Sequence, residues 1–176
     1  MSRGKYNSTP PSLQSGQFTD LQLDTAGNLK TINGALFSAS TTFTPAATSH
    51  TAGDCVGSAA EFALAVPTGS NIKINSVSLM IAGGTIETTA WTLHLYSVTP
   101  PSALADDAAF DLPSGDRASY LGSIAIAQVV DLGATLYIEA HNINKQIKLA
   151  GTSVFGYLVN GTTLTPQAVA HTVTLN

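Results

Sequence analysis

The chain has 176 residues, 44% of them hydrophobic and only 10% charged, where an ordinary soluble domain carries roughly 25% charged residues. Its seven Lys and Arg residues are scattered and the formal net charge is −4, which argues against a general nucleic-acid binder, since such proteins carry a basic patch or stripe. A single cysteine, Cys55, excludes an internal disulfide framework, and no run approaches the roughly 18 apolar residues that span a bilayer.

Polar surface in such a chain must come from Ser, Thr, Asn and Gln. Thr-rich sequence that is poor in Lys and Glu suits strands, because β-branched side chains pack on a pleated surface while helix surfaces favour long charged residues. The start, Met1-Ser2-Arg3-Gly4-Lys5-Tyr6, lacks the apolar stretch of a secretory signal. With the lone thiol, it places synthesis in a cytoplasm.

In chain order, residues 1 to about 16 are polar, contain Pro10-Pro11 and show no period, so they read as an extended arm that orders on a partner. Phe18 to Asp24 and Leu29 to Ile32 alternate around Gly27-Asn28, which predicts a β-hairpin offering Leu21, Leu23 and Leu29 to one face. An isolated hairpin is marginal in water. It is therefore expected on the body or on a neighbouring subunit, with Tyr6, Phe18, Leu21, Leu23 and Leu29 as candidate contacts. The division is residues 1–33 as arm and hairpin and 34–176 as the body.

Leu36 to Thr44, Cys55-Val56 and Phe62 to Val66 read as strands, and Pro67-Thr68-Gly69-Ser70 as a turn. Between Asn71 and Ile81 the apolar parity changes, from Ile72 and Ile74 to Val77, Leu79 and Ile81. Such a change marks a bulge or a strand that crosses between packing environments. Trp91 to Tyr96 returns before Pro100-Pro101, and a short helix is conceivable over Ala103 to Phe110. Tyr120 to Val130, Leu136 to Ala140 and Gln146 to Leu149 follow as strands. Val154 to Val159 and Thr162 to Leu164 flank Asn160-Gly161, the dipeptide of a two-residue type I′ hairpin. Ala168 to Leu175 is the last strand.

Eight to ten short strands with turn signals and no helical period predict an all-β body, an antiparallel β-sandwich of jelly-roll type, with an extended N-terminal arm and hairpin.

The candidate chemistry is sparse. His50, Asp54 and Cys55 are close in sequence but lack a second Cys or His at a zinc spacing, so a loop with a small buried thiol is the better reading. His94 lies on the strand face opposite Leu93 and Leu95, directed at solvent or a subunit. His141 shares a face with Glu139 as a solvated pair. Asp106, Asp107, Asp111 and Asp116 are the densest carboxylates, yet their spacing departs from the calcium loop and no closing Glu follows. They read as a solvated rim. No nucleophile elbow is present. No catalytic residue, metal or cofactor is expected.

The segment Gly16-Gln17-Phe18-Thr19-Asp20-Leu21-Gln22-Leu23-Asp24-Thr25-Ala26-Gly27-Asn28-Leu29-Lys30 resembles the L-Q-x-D-x-x-G-N-L-K segment that opens many tailed-bacteriophage virion proteins. Leu93-His94-Leu95-Tyr96 with Pro100-Pro101, Asp106 to Phe110, Tyr120-Leu121-Gly122 and Tyr157-Leu158-Val159 are similar to recurring blocks of the same structural proteins. The resemblance implies a non-enzymatic virion component, a capsid decoration (cement) protein or head-fibre base held on the major capsid protein. A homo-oligomer, a trimer, is the expected assembly, and neither nucleic acid nor membrane is an expected partner. A tail, baseplate or receptor-binding component contacting the host surface is the alternative.

Overall fold

Alternation of buried and exposed side chains dictates the elements. In β1 (Ala39–Phe43) Ala39 and Phe43 are buried and Ser40 and Thr42 exposed; β2 (Ala60–Ala63) buries Phe62. The parity change resolves into two strands, β3 (Asn71–Ile74) and β4 (Val77–Ile81), that belong to different sheets. Asn75 and Ser76 form the joint between them, and their N–H groups donate to the Asn176 carbonyl at 2.6 and 3.1 Å. β5 (Trp91–Tyr96) follows, then β6 (Tyr120–Ile126), β7 (Val130–Asp131), β8 (Leu136–Ala140), β9 (Lys145–Lys148), β10 (Ser153–Asn160) and β11 (His171–Leu175). This computed structural model describes residues 37–176, which fall within one compact unit, Leu36–Asn176.

Every strand pairing is antiparallel. One sheet has the order β1-β11-β4-β8-β7, a second β2-β10-β5-β6, and β3 and β9 form a two-stranded ribbon. The described part of the chain is therefore all-β, and Ala103 to Phe110 is a run of turns rather than a helix. No helix among the described residues is long and apolar enough to cross a membrane.

The main core takes Phe43, Leu79, Ile81, Leu136, Val173 and Leu175 from the first sheet and Phe62, Trp91, Leu93, Leu95, Ile126 and Leu158 from the second. Ile72, Ile74 and Ile147 pin the ribbon to the same core. At about 1.5–3 kcal/mol for each fully buried large apolar side chain, this shared cluster is the dominant stabilising term.

Two expected strands shrink to isolated bridges. Cys55 bridges Val159 through the Val56 N–H to Leu158 O at 2.8 Å and the Asn160 N–H to Asp54 O at 3.2 Å, and on its other side the Cys55 N–H donates to Ala108 O at 2.8 Å and the Asp107 N–H to Cys55 O at 2.9 Å. The hairpin at Asn160-Gly161 does not form. β10 pairs with β2 and β5, while the Gly161 N–H donates to Ala90 O and Leu164 bridges His50. A Cβ on Gly161 would lie 2.9 Å from the Ala90 carbonyl oxygen, so glycine is required here for a close approach rather than for a turn.

Candidate functional site

The chemistry-bearing groups gather where loops close over the strand ends. β10 ends at Asn160, whose side chain is a buried junction: its Oδ1 accepts from the Asp54 N–H at 2.8 Å and its Nδ2 donates to the Thr51 and Thr162 carbonyls at 2.8 and 2.9 Å. Asp54 folds its own loop, with Oδ2 accepting from the Thr51 N–H and hydroxyl.

Above this junction sits His50, with no exposed side-chain surface. Its Nδ1 lies 3.0 Å from Thr48 O and its Nε2 2.9 Å from Asp106 Oδ1, so a ring carrying both N–H donors satisfies both acceptors. Burial disfavours the charged ring, but the hydrogen bonds to Asp106 and Thr48 and the charges of Asp106 and Asp107 outweigh it, and the His50 pKa is raised. Asp106 also accepts from the Ala46 and Gly57 N–H groups at 2.8 and 2.7 Å. Burial works against its charge too, yet these donors and His50 hold its carboxyl below the ordinary aspartate range. One carboxylate thus ties the segment after β5 to both ends of the loop after β1.

A second pair repeats the plan. His171, the first residue of β11, places Nδ1 3.0 Å from Val169 O and Nε2 3.0 Å from Glu87 Oε2. Glu87 Oε1 accepts from the Gln167 N–H at 2.9 Å, and Trp91 packs edge-on against the imidazole. Both side chains are buried.

Segment 97–119 crosses the outer face of the second sheet. Phe110 stacks on His94 with ring centroids 3.7 Å apart, and His94 Nδ1 lies 3.0 Å from the Tyr120 hydroxyl. Burial lowers the His94 pKa to about 4. Tyr96, Tyr157, Val159 and Cys55 form a second apolar cluster beneath Leu104, Phe110 and Leu112. Tyr157 accepts the Leu104 N–H at 2.9 Å. Burial, aided by Asp54 and Asp106, pushes the Cys55 thiol up to about 12, which makes it inert as a nucleophile at neutral pH.

The carboxylates after β5 are therefore not a solvated rim throughout. Asp106 is engaged as above, and Asp116 is buried and accepts from the Ser102 N–H and hydroxyl; Asp107 and Asp111 are exposed. His94 does lie opposite Leu93 and Leu95 but is covered by Phe110 rather than open to solvent. His141 and Glu139 are the expected surface pair, 3.6 Å apart. Among the described residues no three His, Cys, Asp or Glu side chains form a metal-holding group. Tyr6, Phe18, Leu21, Leu23 and Leu29, with the arm and hairpin, lie outside the described residues.

Two further surfaces remain. An open groove of about 340 Å³ runs between Ser97–Thr99 and Ala150–Ser153 over Phe155. The ribbon of β3 and β9 carries Lys73, Lys145 and Lys148. The histidine clasps carry no local sequence signal, because their partners stand 56 and 84 positions away.

Comparison with protein-family models, with curated proteins and with solved structures finds no match to this chain.

Proposed function

We propose that this is a non-enzymatic virion structural protein, a decoration or cement protein that binds the outer surface of a phage capsid and stabilises the shell. The observation that carries the reading is the strand order. With the separate ribbon of β3 and β9 and the two-residue edge strand β7 set aside, eight strands remain, and they pair first with last, second with seventh, third with sixth and fourth with fifth. That order supports reading the body as an antiparallel ribbon wrapped on itself, a jelly roll with its two sheets face to face around their shared core. Viral capsid domains are among the users of this architecture.

The disposition of polar groups supports the same reading. The buried carboxylates Asp54 and Asp116 and the largely enclosed Asp106 tie loop residues to one another, Glu87 ties its loop to β11 through His171, and the one thiol is held protonated. This suits a rigid body that presents surfaces. Residues 1–33 supply attachment by ordering or adding a strand on the shell, and many copies, as a homo-oligomer, turn modest contacts into durable binding.

The decisive test is to add the purified full chain, and a chain lacking residues 1–33, to shells of the parent phage that lack this protein. Electron microscopy should place the full chain on the outer capsid surface, and the shortened chain should stay folded and fail to bind. Density at the tail or baseplate would instead select the receptor-binding reading, which the open groove over Phe155 favours.

A further inference from the structure

Three of the four lysines and arginines at positions 37–176, Lys73, Lys145 and Lys148, lie on the ribbon; the fourth, Arg117, is in segment 97–119. Register fixes how the ribbon presents them. Ile72 faces Ile147 and Ile74 faces Lys145, and the three isoleucines are buried. The opposite face pairs Asn71 with Lys148 and Lys73 with Gln146, all four exposed. Lys73 and Lys148 are thus diagonal neighbours on one face, roughly 7–8 Å apart at the backbone.

Like charges so placed repel one another, and among the described residues no carboxylate lies within salt-bridge distance of Lys73, Lys145 or Lys148. The face is accordingly rich in N–H donors and free of carboxylates. It rests on a layer of isoleucine that joins the main core, so its geometry is fixed before any partner arrives. The rest of the described surface is acidic: with buried Asp54, Glu87 and Asp116 left aside, six Asp and Glu remain there against Arg117, the one Lys or Arg of positions 37–176 off the ribbon. Half-exposed Glu139 is engaged by His141 on the chain that leads into the ribbon.

We propose that the exposed face of the β3–β9 ribbon, through Lys73 and Lys148 with Asn71 and Gln146, is a docking surface for a carboxylate-rich protein surface. Charge complementarity selects an anion. The lack of arginine forks and of stacking aromatics on the ribbon disfavours a nucleic-acid chain. Lysine ammonium groups pair readily with carboxylates and amides donate beside them. The inference deepens the attachment reading, on which it rests, by giving the chemistry of the shell surface that the body meets.

The test uses the full chain and a Lys73→Glu/Lys148→Glu variant, whose changes are exposed and should leave the thermal unfolding curve in place. On shells lacking the protein, the variant should bind about tenfold or more weakly at low salt, and the difference should shrink as salt rises. In parallel, poly-L-glutamate is titrated into labelled full chain, and amide shifts should cluster at 71–74 and 145–148. Equal shell binding by both proteins overturns the inference while leaving the attachment reading intact. If the unaltered chain fails to bind shells, the attachment reading falls, and the poly-glutamate titration still decides the chemistry of the ribbon. Shifts spread over the body, or tighter binding to single-stranded oligonucleotide than to poly-glutamate, overturn it as well.

Discussion

His171–Glu87 and His50–Asp106 share one hydrogen-bond plan in different mechanical settings. In each, Nδ1 meets the carbonyl two residues back and Nε2 meets a distant carboxylate. His171 opens β11, opposite Phe43 and Ile81, and its partner Glu87 is 2% exposed. His50 lies in a loop, and its partner Asp106 keeps 25% exposure. The first pair ties the segment between β4 and β5 to a packed strand and is buried throughout; the second holds two loops that water can reach if the clasp opens. The same chemistry therefore secures the core in one place and a surface closure in the other.

The largest effect should come from breaking the interior pair. His171→Ala or Glu87→Ala leaves a buried hydrogen-bonding partner unsatisfied and opens a cavity in the packed interior, and the two losses together cost about 3–5 kcal/mol. Urea denaturation should show the midpoint falling with an unchanged slope. Asp106→Ala should cost less, about 2 kcal/mol, because Asp106 is already a quarter exposed and the Ala46 N–H it frees lies at the surface. Its signature is local, with hydrogen exchange rising over 46–57 and 103–110 before the core strands respond. Equal cost and equally global exchange in the two variants would erase the distinction.

Acidity sharpens it further. The His50 pKa is raised in the folded chain, so its stabilisation is complete below the ordinary value near 6.5 and is lost as pH rises through the folded value. Asp106 is depressed, so its share is present above the ordinary carboxylate value and is lost as pH falls through the lower folded one. His94 runs opposite to His50: with a folded pKa of about 4 against 6.5, the unfolded chain takes up its proton first, and stability drops as pH falls across that interval. Stability measured from about pH 4 to 9 should lose its alkaline-side slope in His50→Gln and its slope between 6.5 and 4 in His94→Gln.

The strands were legible because their signal is local. Alternation located β1, β4, β5, β8 and β11, and the parity change between Ile74 and Val77 announced the joint between two sheets. What sequence misassigned was decided at a distance. Asn160-Gly161 carries hairpin chemistry, but Thr89 and Ala90 capture the N–H groups of Gly161 and Thr162 first. Asp106 looks solvated among its acidic neighbours until Ala46, His50 and Gly57 converge on it. Short-range pattern reports which face a residue occupies, and hydrogen bonds across tens of residues decide what the loops do. The lysines fall between these cases: their spacing in β3 and β9 is visible, but only the register puts Lys73 and Lys148 side by side.

The smallest effect separates two buried phenols under segment 97–119. Tyr157 and Tyr96 pack edge-on with centroids 5.8 Å apart and both are fully buried. The Tyr157 oxygen accepts the Leu104 N–H, whereas the Tyr96 hydroxyl has no hydrogen-bond partner among the described residues and burial raises its pKa. Removing a satisfied acceptor strands its donor, while removing an unsatisfied hydroxyl relieves a desolvation cost. Tyr157→Phe should therefore destabilise by about 1 kcal/mol and loosen the amide of Leu104 in hydrogen exchange. Tyr96→Phe should fall within about 0.5 kcal/mol of the parent or slightly above it. A larger loss at Tyr96 than at Tyr157 would mean that the hydroxyl, and not the ring, holds this cluster together.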